Sequence, residues 1–127
     1  MIITYNNEEI NLDYFFESLL YRHLIDMKIK PIQKSILLFI ARKTIGFKKI
    51  NDHIGIKEFE WNLETSNHTI KKNLKELYET GIININYSNG GKTQSRERFN
   101  KYQISNNILS QLIDEWLEIK ENNDFTV

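Results

Sequence analysis

Lys71, Lys72 and Lys75 follow Asn67 and His68 at the spacing of one helix, the densest set of side chains able to do chemistry in this 127-residue sequence. Ammonium groups so placed can neutralise phosphates and displace their counterions. Asn67 and His68 can bond a base edge or a phosphate. A second set, the basic Lys92, Arg96, Arg98 and Lys101 with the polar Gln94, follows a turn signal and offers the same chemistry. Arg42, Lys43, Lys48 and Lys49 form a third and weaker set. On their own, Lys71, Lys72 and Lys75 beside Glu76 and Glu79 also read as a solubilising face. Coupling that helix to a basic hairpin favours double-stranded DNA as the partner.

Other chemistries fall on residue type and spacing. There is no cysteine, hence no disulfide, thiol nucleophile or Cys-bearing zinc site. The three histidines are scattered: His23 lies on the inner side of a helix, His53 in a loop, and His68 at a helix start. Glu58 and Glu60 are two residues apart and do not share a helix face. Ser66, Ser88 and Ser110 have no base partner that the sequence identifies. Gly90-Gly91-Lys92-Thr93 lacks the first glycine and the strand-to-helix setting of a phosphate loop, and reads as a hairpin turn. The expectation is a non-enzyme with no metal and no cofactor.

Seventeen basic residues cancel seventeen acidic ones. The distribution is uneven. Met1 to Met27 holds one base and five acids, Lys28 to Lys57 eight bases and one acid, and Ser66 to Ser105 seven bases and three acids. From Asn106 onward there are one base and five acids. This predicts one basic face on an otherwise acidic body. No run is long and apolar enough to span a membrane, and the N-terminus lacks a signal-peptide pattern. A cytoplasmic protein of one domain over residues 1–127 is expected.

The elements that position these residues follow from hydrophobic spacing. Ile2 to Tyr5 is a short β-prone run before the turn-like Asn6-Asn7, and Glu8-Glu9 reads as a solvated turn. Leu12, Phe15, Phe16, Leu19, Leu20, His23, Leu24 and Met27 mark an amphipathic helix, with Asn11 or Asp13 as its cap. Residues 1–30 thus form a strand and a helix. Pro31 opens a second helix, running to about Ile45 with Gly46 as its stop. Phe47 to Ile56 is a loop or brief extended piece. Lys57 to Leu63 is a short helix with Phe59 and Leu63 inward. Glu64-Thr65-Ser66 is a turn, and Ser66 caps a helix over Asn67 to Thr80 with an apolar stripe of Ile70, Leu74, Leu77 and Tyr78. Gly81 ends it. Ile82 to Tyr87 and Phe99 to Ile104 are strands around a polar loop. Residues 105–127 are a last helix and a frayed tail.

That order predicts an α+β, mostly helical fold: a winged helix-turn-helix over residues 31–104, with a two-stranded wing and extra N- and C-terminal helices. The second helix of such a motif enters the major groove. The apolar stripe of the last helix, Leu109, Leu112, Ile113 and Trp116, can pack on its own domain or mediate a homodimer.

Arg42-Lys43-Thr44-Ile45-Gly46-Phe47 resembles the Arg-Lys-Thr-aromatic-Gly-aromatic signature of phage replication initiators of the lambda O type, in their N-terminal origin-binding domain. Lys49, Asp52 and Ile54 match the residues that follow it in that family. Thr69-Ile70, Leu74, Leu77 and Gly81-Ile82-Ile83 resemble its recognition helix and the exit into the wing. The resemblance covers Pro31 to Ile83 well and extends weakly to Ile104. Three positions depart from it: Ile45 replaces an aromatic, Asn73 replaces a small residue, and Glu64-Thr65-Ser66 stands where the family has Gly-apolar-Ser. The resemblance implies origin binding, usually as a dimer, and delivery of the replicative helicase. The family's helicase-recruiting region lies outside what this sequence matches, so only the DNA-binding part is implied here, as an excised domain or a stand-alone relative.

The expected function is sequence-specific duplex DNA binding in replication origin recognition or transcriptional control of a phage or mobile element. The alternative is a small phage-encoded inhibitor that binds a host or replisome protein on a winged-helix scaffold, using Asp114, Glu115 and Glu118 on acidic helices that imitate nucleic acid.

Overall fold

The computed structural model describes residues 1–87 and 99–122. Strands β1 (Ile2–Tyr5) and β2 (Glu8–Asn11) form an antiparallel hairpin. Its two-residue turn is Asn6-Asn7, both at positive φ (51° and 64°). That left-handed pair matches the twist of the flanking strands, and asparagine tolerates it well. Glu8 and Glu9 are therefore strand residues, paired with Tyr5 and Thr4, rather than a solvated turn.

Helix α1 (Tyr14–Asp26) starts at Asp13, whose Oδ1 accepts from the Phe16 amide at 3.1 Å. Phe16, Leu20 and Leu24 recur at i, i+4 and are fully buried. Phe15, expected inward, is 41% exposed because it lies one residue off that row. Helix α2 (Pro31–Lys43) opens on proline and runs through the centre of the core, burying Ile36, Leu37, Ile40 and Ala41.

The end of α2 depends on Thr44 more than on Gly46. The Thr44 hydroxyl donates to the Ile40 carbonyl at 2.7 Å, and its own carbonyl accepts from the Phe47 and Lys49 amides, both at 2.9 Å. These bonds wind a short 3-10 turn over Ile45–Phe47, closed by Lys48 at φ 63°. Gly46 sits inside that turn, where a Cβ would stand 3.2 Å from the Tyr21 hydroxyl.

Strand β3 (Asp52–Gly55) leads directly into α3 (Ile56–Leu63). Helix α4 (Asn67–Glu79) follows, with the Ser66 hydroxyl accepting from the Thr69 amide at 3.2 Å. Gly81, at φ 76°, ends α4 with paired bonds: its amide donates to Tyr78 and the Ile82 amide to Leu77. This is the glycine-dependent helix stop that leaves the last carbonyls satisfied.

Strands β4 (Ile83–Asn86) and β5 (Phe99–Ile104) were expected to form a two-stranded wing. The sheet has three strands, in the order β3-β5-β4, all antiparallel. Tyr102 faces Asp52 on one side and Ile85 on the other. Its buried ring meets Phe59 edge-on at 5.3 Å, and Phe59 meets Phe39 at the same distance. That chain of rings joins sheet, α3 and α2. Together, α2, α3, α4 and the sheet make a winged helix-turn-helix.

Helix α5 (Asn106–Asn122) packs on α1. Leu109, Leu112, Ile113 and Trp116, the four candidates for a dimer contact, are buried within the chain's own core. Trp116 stands edge-on to Phe16 at 6.3 Å, and its Nε1 donates to Asp13 at 2.9 Å. Intramolecular packing uses this stripe, so it offers no free dimer surface.

Candidate nucleic-acid interface

Helix α4 has two unlike sides. Ile70, Asn73, Leu74 and Leu77 are buried; Asn67, His68, Lys71, Lys72 and Lys75 are exposed. None of the three lysines makes a salt bridge among the described residues. All five α4 candidates therefore share one solvent-facing surface, as the helix-turn-helix reading requires.

A groove of about 620 Å³ runs between α4 and the sheet. Asn67, Lys71, Leu74, Lys75 and Tyr78 line it from α4, and Lys57 and Ile56 from the start of α3. Ile85, Tyr87, Asn100 and Tyr102 line the sheet side. Burial pushes the Tyr102 phenol above its ordinary value, against a hydrogen bond from Asn100. Three of these residues escape a sequence reading. Lys57 is remote in sequence, and only the packing of α3 on α4 brings it to the same groove as Lys71. Tyr78 was placed in the apolar stripe, yet it is 43% exposed because the stripe is narrower than its spacing allows. Tyr87 is 54% exposed at the end of β4.

Lys101 lies on β5, opposite Asn86 and His53 and half-buried. It alternates with Tyr102 and so points to the face of the sheet away from the core. Lys92, Gln94, Arg96 and Arg98 lie outside the described residues. The third set does not join the groove. Lys43 pairs with Glu58 at 2.7 Å, Lys49 with Asp52 at 3.4 Å, and Lys48 with Glu17 at 3.9 Å. Arg42 is exposed on α2.

Helix α4 is anchored from behind. The buried Gln33 of α2 donates through Nε2 to Asn73 Oδ1 at 3.2 Å and to Glu76 Oε2 at 2.7 Å. Lys30 reaches Glu76 at 3.0 Å, and Asn73 donates to the Thr69 carbonyl at 2.8 Å. The Lys30 hydrogen bond above all, helped by its charge, by Gln33 and by Lys72, holds the Glu76 carboxyl below its ordinary value against some desolvation. Asn73, at the position where the resembling family has a small residue, is thus matched by a polar partner on α2.

A second departure from that family, Glu64, takes φ 49° and ψ 48°, the left-handed region that glycine favours. The turn between α3 and α4 keeps a glycine-like geometry with a glutamate in it.

Residues 16–102 match the model of the bacteriophage replication protein O family. The chain belongs to that family. The match starts inside α1, well before Pro31, and ends within β5. Membership carries a DNA-binding role in phage replication, and gives the inhibitor alternative no support. No curated protein matches the chain. Among solved structures, a possible transcriptional regulator from Methanosarcina mazei Go1 aligns over 100% of this chain and 98% of its own, at 13% identity and a TM-score of 0.45. Among the described residues, no helix of this phage replication protein O relative is long and apolar enough to cross a membrane. Among the same residues, no three His, Asp or Glu side chains gather as metal ligands.

Proposed function

We propose that this chain binds duplex DNA sequence-specifically, in replication origin recognition or in transcriptional control of a phage, without catalysis. The observation that carries this reading is the exposed face of α4. Its Lys71, Lys72 and Lys75 make no salt bridge among the described residues, and Asn67 and His68 stand at the helix end that enters a major groove first. Asn67 and His68 supply base-edge or phosphate contacts, and the lysines supply phosphate contacts. Lys101 supplies a further backbone contact from β5; the candidates Lys92, Gln94, Arg96 and Arg98 lie outside the described residues. A homodimer on DNA would place two α4 helices about one helical turn apart, through a surface other than the buried stripe of α5.

The test is fluorescence anisotropy on duplex tiles spanning the protein's own coding region and its flanks, across a salt series. About five phosphate contacts give a log–log slope of about −4 to −5. One tile should bind far more tightly than the others. Weak, uniform binding with a slope near zero would overturn the proposal.

A further inference from the structure

The groove between α4 and the sheet contains more than the cations a duplex backbone needs. Tyr78 from α4 and Tyr87 after β4 meet edge to face, ring centroids 6.0 Å apart at 85°. Both remain substantially exposed, at 43% and 54%. Bases inside a duplex are stacked on their neighbours and cannot turn a π-face to a protein ring; an unpaired base can. The groove volume, about 620 Å³, lies within the ~300–1,000 Å³ of small-ligand sites and admits a nucleotide. Lys57, Lys71 and Lys75 line it, complementary in charge to phosphate. Among the described residues Glu79 is the one acid in the lining, and it lies one helical turn beyond Lys75.

We propose that this groove is a subsite for single-stranded DNA. An unpaired base stacks on the open face of one tyrosine ring, which the other ring braces edge-on, while its flanking phosphates lie on Lys57, Lys71 and Lys75. The aromatic platform flanked by ammonium groups is the combination that binds unpaired strands with little sequence preference. The proposal goes beyond duplex recognition and does not require it: the lysines serve both strand forms, and the tyrosine rings serve only the unpaired one.

The experiment compares a labelled short oligothymidylate with a labelled mixed-sequence duplex by anisotropy, on the full chain. Wild type is measured beside Tyr78→Ala, Tyr87→Ala and the phenylalanine variant at each position. Each alanine variant should lose about 10-fold in affinity for the single strand. The phenylalanine variants should stay within about 2-fold of wild type, since stacking needs the ring and not the hydroxyl. Duplex affinity should change by less than about 2-fold in all four. A wild type that does not bind oligothymidylate would overturn the proposal. So would alanine variants that bind it normally, or that lose both substrates equally. Tyrosine-dependent binding of the single strand with no duplex binding at all would uphold this subsite and defeat the duplex reading instead.

Discussion

Two clusters of lysines, alike in the sequence, are treated differently by the fold. Lys43, Lys48 and Lys49 cluster around the end of α2, and each meets an acid: Glu58 and Glu17 from other helices, and Asp52 three residues beyond Lys49. Lys71, Lys72 and Lys75 cluster on α4 and make no salt bridge among the described residues. The pairs in the first cluster are partly exposed, and such pairs contribute ~0–1 kcal/mol. Their effect is chiefly to cancel charge locally. A run of basic residues is therefore a footprint only where the fold leaves its charges outside salt bridges.

The sharpest break of that comparison is a pair of triple variants. Lys71→Ala, Lys72→Ala and Lys75→Ala together should flatten the salt slope of duplex binding by about 3, one unit per lost phosphate contact. The matching triple at Lys43, Lys48 and Lys49 should change the slope by less than about 1. Both can be read from anisotropy at a series of salt concentrations. Equal losses would show that partnered lysines contact DNA as readily as unpartnered ones, and the comparison would collapse.

What sequence spacing reveals and what it hides divides along the same line. Ser66, Gly81 and the Ile70, Leu74, Leu77 row are local features, and local chemistry suffices to place α4. The hairpin partner β2 and the third strand β3 depend on pairings that spacing does not encode. Asp52–Gly55 finds its place only against Phe99–Ile104, far along the chain. Likewise, a carboxylate such as Glu58 cancels Lys43 only once α3 has folded beside α2. The Arg42-Lys43-Thr44 signature, suggestive of DNA contact by composition, is largely a device for ending α2: Thr44 is fully buried and organises the following turn.

The unpartnered cluster also depends on how α4 is held. Gln33→Ala would leave the buried Asn73 Oδ1 without its Gln33 donor, a loss of about 1–3 kcal/mol. Thermal or urea unfolding would measure it. Gln33→Ala combined with Asn73→Ala removes both polar groups and should cost less than the two single variants summed, a clear coupling in a double-mutant cycle. Additive effects would show that the two side chains do not act as a pair.

Glu64→Gly tests the turn before α4. A non-glycine residue in the left-handed region costs ~1–2 kcal/mol, and glycine's extra freedom in the unfolded chain returns ~0.5–1 of that. The net expectation is a stabilisation of about 0.5–1 kcal/mol, read as a higher Tm. Duplex affinity should rise slightly as well, because the substitution removes an acid from the turn that feeds the basic helix. A lower Tm would mean that Glu64 makes a compensating contact in the turn.

Lys120 provides a third case, a lysine of α5 committed to the acid that caps α1. Asp13 caps α1, accepts from Trp116 Nε1 and pairs with Lys120. Burial pushes the Asp13 carboxyl up, but the bonds from Lys120, Trp116 and the Phe16 amide, together with the Lys120 charge, outweigh it and hold the group below its ordinary value. A carboxyl depressed on folding stabilises the protein above its unfolded value, near ~3.9, and that contribution is lost as pH falls through the folded value. Asp13→Asn should therefore lower Tm at neutral pH and show a shallower loss of Tm than wild type below about pH 4. Its duplex affinity and salt slope should match wild type, since neither Asp13 nor Lys120 lines the α4 groove. If the slope changed, α1 and α5 would contribute to the DNA footprint, and the division between partnered and unpartnered lysines would no longer locate it.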